Sequence, residues 1–480
     1  NGDTLTLTGN IGAAMFMAGP ENDEGSFVLD ANAPVSFDHI ESINVTDTDN
    51  NMDVTVMGTG ADDDITAVGQ GAQVVDVQVN AGAIVRYTGL DTLNLQGKAG
   101  DDDFDIDVNG LTTVAITIDG GDPSTGGDTV TVTGTVGVDT PNFTPDAVDS
   151  GSLAIGGLTT PINLDNIERL IVDGESQGET LTVTSSTGVR TITHREATAV
   201  DGGSVQVGNW LTVEYVSLGA TGSVTLLDAD ADPGDDRLVY VGTSGDDVFD
   251  VSGTGIVQRT GHVSVNAADL GALTLQLLSG NDTVSIGASG LFAGGLRIEG
   301  GDSDTTSDSV TATGTIGVDT IGVNLSTGEV TGIVGGTITL DGVEGLTING
   351  GGGAGVDAIS VSEVGAASEL NTVTLSVTNA STLVATGTTG DETLQVTPTA
   401  AGTGSFRAAG VGPTIGYSGF GGTFTVNGGS TTGFDVLEIL GTEDIDVVTT
   451  TMNDVTSNGG IVTFGSDLNR LDITTLGGAD

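Results

Sequence analysis

The stretch ITIDGGDPSTGGDTVTVTGTVGVDT (116–140) returns as LRIEGGDSDTTSDSVTATGTIGVDT (296–320), 180 positions later and without a gap. The same offset superimposes GDDDFDIDVNG (100–110) on GNDTVSIGASG (280–290). Self-similarity at a fixed offset marks a repeat architecture. The chain therefore reads as a β repeat region over 1–99, a first copy of the block over 100–279, and a second copy with further repeats over 280–480.

Two shorter phrases recur inside the block. One is a strand phrase: FDHIESINV (37–45), LDNIERLIV (164–172) and LDGVEGLTI (340–348). The other is a turn entering a strand: GDDDF (100–104), GGDTV (126–130), GDDVF (245–249), GNDTV (280–284), GVDAI (355–359) and GFDVL (433–437), with GDETL (390–394) carrying Glu for Asp. Period-two alternation in TLTLTG, TVTVTG and TLQVTP predicts strands, and no sustained helical period is present. Gaps of about 25 residues between turn phrases read as one coil of a solenoid and gaps of about 55 as two. The expected fold is all-β, an elongated parallel β-solenoid (β-helix) of irregular coils. A string of tandem β-sandwich modules is the alternative.

Composition narrows the partners. Lys and Arg number 10 against 66 Asp and Glu, giving a net charge of -56. Such a surface repels nucleic acid and anionic membranes and attracts cations or suits high salt. Aromatics are only 4% while Gly numbers 79, which argues against one large globular core. There is no cysteine, so no disulfide. No apolar run reaches membrane-spanning length.

The acids form candidate cation loops. GKAGDDDFD (97–105) and GTSGDDVFD (242–250) resemble the calcium-binding nonapeptide of RTX (hemolysin-type) proteins, with Gly97, Gly100, Asp102 and Phe104, then Gly242, Gly245, Asp247 and Phe249, on its pattern. Lys98 and Thr243 stand where that pattern has its second glycine, and the loops are not in tandem. GTTGDETLQ (387–395), GTGADDDIT (58–66) and GTEDIDVVT (441–449) match less well. Phrases of the type I-E-x-L-x-V are also similar to those of giant acidic bacterial surface repeat proteins. The resemblance implies calcium as cofactor. The ligands it suggests are Asp101, Asp102, Asp103 and Asp105, Asp246, Asp247 and Asp250, and Asp62, Asp63 and Asp64.

Independently, LDADADPGDDR (227–237) spaces Asp228, Asp230 and Asp232 as in calcium loops and adds Asp235 and Asp236. Asp302, Asp304 and Asp308, and DTDNNMD (47–53), are further candidates. Crowded carboxylates repel by about 4 kcal/mol at 4 Å and an effective dielectric of 20, so a folded loop holding several calls for a cation or full solvation. The competing reading of each Gly-x-Asp is a turn whose Asp caps its own backbone.

Catalytic signatures are missing. No HExxH, GxSxG or Walker loop occurs, and His39, His194 and His262 show no metal-ligand spacing. His194-Arg195-Glu196 reads as a solvated turn. The chain is not expected to be an enzyme. A polysaccharide-active β-helix enzyme and an ice-binding solenoid, suggested by the Thr-x-Thr runs, are lesser readings. Joined end to end, LGGAD (476–480) and NGDTLTLTG (1–9) complete the repeat phrase, which predicts stacking on a copy of itself or on neighbouring repeats of a longer chain. The expected role is structural: an extracellular filament, surface layer or adhesin stalk stabilised by calcium, located outside the cell or on its surface. A glycan- or cell-binding adhesin module is the alternative, which a patch around Trp210 and Tyr215 would favour.

Overall fold

The computed structural model describes all residues except 1, 20, 124–125, 231–234, 302–306, 431, 443–447 and 476–480. The chain is all β, with 46 strands and no helix among the described residues. Packing divides it into two compact units: Asn1–Asp236 with Gly261–Ala267, and Arg237–Thr260 with Ala268–Asp480.

In the first unit, successive strands alternate between two ladders. Asp64–Gly71, Asp103–Asp107, Thr129–Thr133, Arg169–Asp173 and Val213–Val216 pair in parallel in one. Met52–Met57, Leu90–Gly100, Ala115–Pro123 and Ile162–Asp165 do so in the other. The second unit repeats the scheme, for example through Thr283–Gly287, Ser309–Thr313, Gly345–Asn349, Thr372–Ser376 and Val411–Ser418. A chain that returns to pair in parallel with its own previous turn forms a β-solenoid. Sandwich modules are built from antiparallel sheets, so the ladders decide against that alternative.

Period-two sequences suit this geometry because one face of each strand turns inward. Register then stacks like on like. In the second unit Val284, Val310, Leu346, Val373 and Ile415 form one inward column, all nearly fully buried. Each column is shared between coils, so no large globular core is needed. Aromatics cluster where antiparallel strands widen a coil: Phe16, Phe27 and Phe37 in one unit, and Phe406, Tyr417 and Phe424 in the other.

The irregular spacing has a different cause from the expected one. Some coils carry a three-stranded antiparallel meander in place of a single strand. Asp64–Gly71, Val74–Val79 and Ile84–Thr88 form one such meander, and Thr393–Ala400, Thr403–Ala408 and Val411–Ser418 another. A plain coil separates Asp102 from Asp128 by 26 residues, and a coil with a meander separates Asp63 from Asp102 by 39. The gap of 39 residues is therefore one coil, lengthened by its meander.

Candidate functional site

The turn phrases come together at the corners of the coils. There the Asp of each Gly-x-Asp turns inward, and below the head of a ladder its carboxylate accepts the backbone amide of the matching acid one coil earlier. In the first unit the Asp63 amide donates to Asp102 Oδ1 (2.7 Å), the Asp102 amide to Asp128 Oδ1 (2.8 Å), and the Asp128 amide to Glu168 Oε2 (2.6 Å). The second unit repeats this through Asp247, Asp282, Asp308 and Glu344 at 2.7, 2.8 and 2.8 Å. Two further ladders run Asp319–Asp357–Ser381 and Glu392–Asp435–Asn469.

The two sequence phrases are the two sides of this contact. Glu41, Glu168 and Glu344 of the strand phrase receive the amides of Asp3, Asp128 and Asp308. In return the carbonyls of Asp128 and Asp308 each accept two amides from the strand phrase. Asn469 plays the glutamate's part beneath Asp435. Hydrogen bonds to a charged acceptor stabilise by about 1.5–3 kcal/mol each, so the recurring acids act as stacking elements between coils.

The head of each ladder, and the corner at Asp139, carries a local motif that the sequence reading did not single out. In GTGADD (58–63), GTVGVD (134–139), GTSGDD (242–247), GTIGVD (314–319) and GTTGDE (387–392), the threonine hydroxyl donates to the acid four residues on. The same hydroxyl accepts the amide two residues on. The preceding glycine leaves the carboxylate its space: a Cβ on Gly58, Gly242 or Gly314 would lie 2.6, 2.8 or 2.7 Å from it. The repeated threonine was the available signal.

Burial has an electrostatic consequence. Asp102, Asp128 and Asp282 are fully buried, and Oδ2 of each receives no hydrogen bond among the described residues. Burial pushes Asp102 up to about 6, reinforced by the charges of Asp128, Asp63 and Asp62. Burial and the charges of Asp308, Asp247 and Asp246 do the same to Asp282.

The other predicted ligands are dispersed. Asp62 accepts the Asp101 amide and Asp101 the Gly126 amide, an outer rung beside the inner ladder. Asp246 accepts the Asn281 amide. Asp64, Asp103 and Asp250 are exposed on strands, and burial with the charges of Asp64 and Asp103 raises the pKa of Asp105. Asp232, Asp302 and Asp304 lie outside the described residues.

One cluster does converge. Asp228, Asp235 and Asp236 each bring a carboxylate oxygen within 4.8 Å of the others. Asp236 is fully buried and fixed by the Ser185 hydroxyl (2.6 Å) and the Arg190 amide (2.5 Å). Burial raises its pKa, and the charges of Asp228 and Asp235 add to the effect. The Asp230 amide donates to Asp228 Oδ1, and Asp230 Oδ2 accepts the Gly188 amide. Three carboxylates with hard oxygen donors fit Ca²⁺ chemistry.

His194 also differs from its expected setting. It lies in strand Thr191–Glu196, fully buried, with Nε2 2.7 Å from the Tyr215 hydroxyl. Burial and the nearby His262 push its pKa down to about 3. His262 Nδ1 lies 3.2 Å from Glu196. Tyr215 is buried in its strand, while Trp210 precedes that strand and lies under the Arg190 guanidinium. No family model matches the chain, and no curated protein matches it.

Proposed function

We propose that this chain is a structural repeat segment of an extracellular filament, surface layer or adhesin stalk, stacking on copies of itself or on neighbouring repeats and rigidified by calcium. The observation that carries the reading is the set of buried acid ladders. The recurring motif residues serve contacts between coils rather than converging on a cleft. Solenoids built this way propagate by adding coils, and a head-to-tail contact that does not close generates fibres. Calcium belongs at Asp228, Asp235 and Asp236, where a divalent cation would relieve the repulsion of three converging carboxylates and fix the loop whose Asp236 is held by Ser185 and Arg190.

Negative-stain electron microscopy of the chain in excess calcium and then in EDTA tests this. Filaments that form in calcium, dissolve in EDTA and fail to form in Asp235→Asn support the whole reading. Filaments indifferent to EDTA remove calcium from it. Isolated particles under both conditions overturn self-assembly.

A further inference from the structure

The fourth ladder contains an arrangement found at no other ladder head among the described residues: a Glu in place of the Asp. The Glu392 amide donates to Asp435 Oδ1 (3.0 Å), which places the two carboxyl groups on successive coils. The Thr388 hydroxyl holds Glu392 Oε1, and the Asp435 amide is held by Asn469. Glu392 Oε2 and Asp435 Oδ2 are both enclosed, and neither receives a hydrogen bond among the described residues. Asp435 is fully buried.

Among the described residues no Lys or Arg bonds to either oxygen, and Arg407 on the neighbouring strand is engaged by Gln395. Asp391 and Asp467, at the same corners, accept the Phe434 and Gly429 amides. Arg470, on the next coil, pairs with Asp472 at 2.7 Å. Glu438 is engaged by Gln395 and Thr474. Glu363 lies two residues before Gly365, which packs on Glu392 Cγ. Glycine backbone crowds both oxygens: a Cβ on Gly387 would lie 3.1 Å from Glu392 Oε2, and one on Gly428 would press on Asp435 Oδ2.

We propose that Glu392 and Asp435 bind one proton between them, carried on Glu392 Oε2 and donated to Asp435 Oδ2. Loss of that proton to solvent leaves two facing carboxylates and loosens the corner, so these coils tighten in acid. Burial and the charge of Asp435 raise Glu392 from 4.5 to about 7. The folded corner therefore binds more protons than the unfolded chain between those values. The stabilisation is complete below the lower value and is lost as pH rises through the upper.

Hydrogen-exchange mass spectrometry of the full chain, corrected for intrinsic exchange rates, reads this in peptides covering 388–396 and 432–440. In the wild type the local opening constant rises about tenfold per pH unit between pH 5 and 7 and then levels off. Glu392→Gln, whose amide donates to Asp435 at every pH, gives a flat profile. Asp435→Asn also flattens it and serves if the first variant does not fold. A wild type with no pH dependence in these peptides, or variants that keep its slope, overturns the proposal.

Discussion

The ladders headed by Asp63 and Asp247 are built from the same turn, GTGADD and GTSGDD, and descend through the same sequence of acids. They differ in what meets the head. In the first unit Asn80, just after the middle strand of a meander, donates its amide to Asp63 Oδ1 (2.8 Å). In the second, Arg259 at the end of strand Ile256–Arg259 places its guanidinium 2.9 Å from Asp247, which is fully buried at its side chain. A neutral donor suffices in one unit and a cation occupies the same role in the other. The ladder itself is thus the shared element, and its first contact is set by whichever antiparallel strand lies alongside.

That contrast gives the largest expected difference. Arg259→Met leaves Asp247 as a buried carboxylate without its cation and costs about 3–5 kcal/mol in the second unit. Asn80→Gly, which tolerates the positive φ of 56° at this position, removes a neutral donor to Asp63 and the acceptor of the Asp64 amide, and costs about 1–2 kcal/mol in the first. Urea unfolding followed by hydrogen exchange reads each unit separately. Equal costs would show that the guanidinium adds nothing to the head.

The glycines beside the heads probe what the two share. Gly58→Ala and Gly242→Ala each drive a Cβ against the head carboxylate and cost about 1–3 kcal/mol by overpacking. Matching losses in thermal melts mark the carboxylate as equally fixed in both. A smaller loss at Gly242 would mean that Arg259 can draw Asp247 aside. The smallest effect belongs to Thr59→Val and Thr243→Val, at about 1 kcal/mol each, because the backbone amide of residue 59 or 243 still holds the acid (2.6 and 2.7 Å) when the hydroxyl is gone.

Much of the fold was legible in local pattern. The alternation in TVTVT became strand Thr129–Thr133 with every second residue buried, and the Gly-x-Asp phrases fell at corners. The candidate site was legible only as residue types. Asp101 and Asp102 are adjacent and chemically alike, yet one accepts an exposed amide at the rim and the other is fully buried in the inner ladder. Strand entry decides this, since the residue before a strand that turns inward must follow its alternation. Neither Asn80 nor Arg259 carries a signal of its role, because each meets its acid across antiparallel strands, 17 and 12 residues away. The Asp228 loop was recognisable by spacing, but Asp236 became its buried member through Ser185, 51 residues earlier.

By itself the sequence determined an all-β repeat chain: period-two alternation, few aromatics and glycine-acid turns leave no other way to bury its apolar residues. It also determined which phrases recur, since these are local. The tertiary structure alone decided which turn stacks on which strand phrase, where a meander replaces a strand, and which carboxylates lose contact with water. Those outcomes rest on hydrogen bonds between residues 24 to 43 positions apart, such as Asp357 to Ser381 and Glu392 to Asp435. A contact of that range depends on the length and path of the intervening coil, which local composition does not specify.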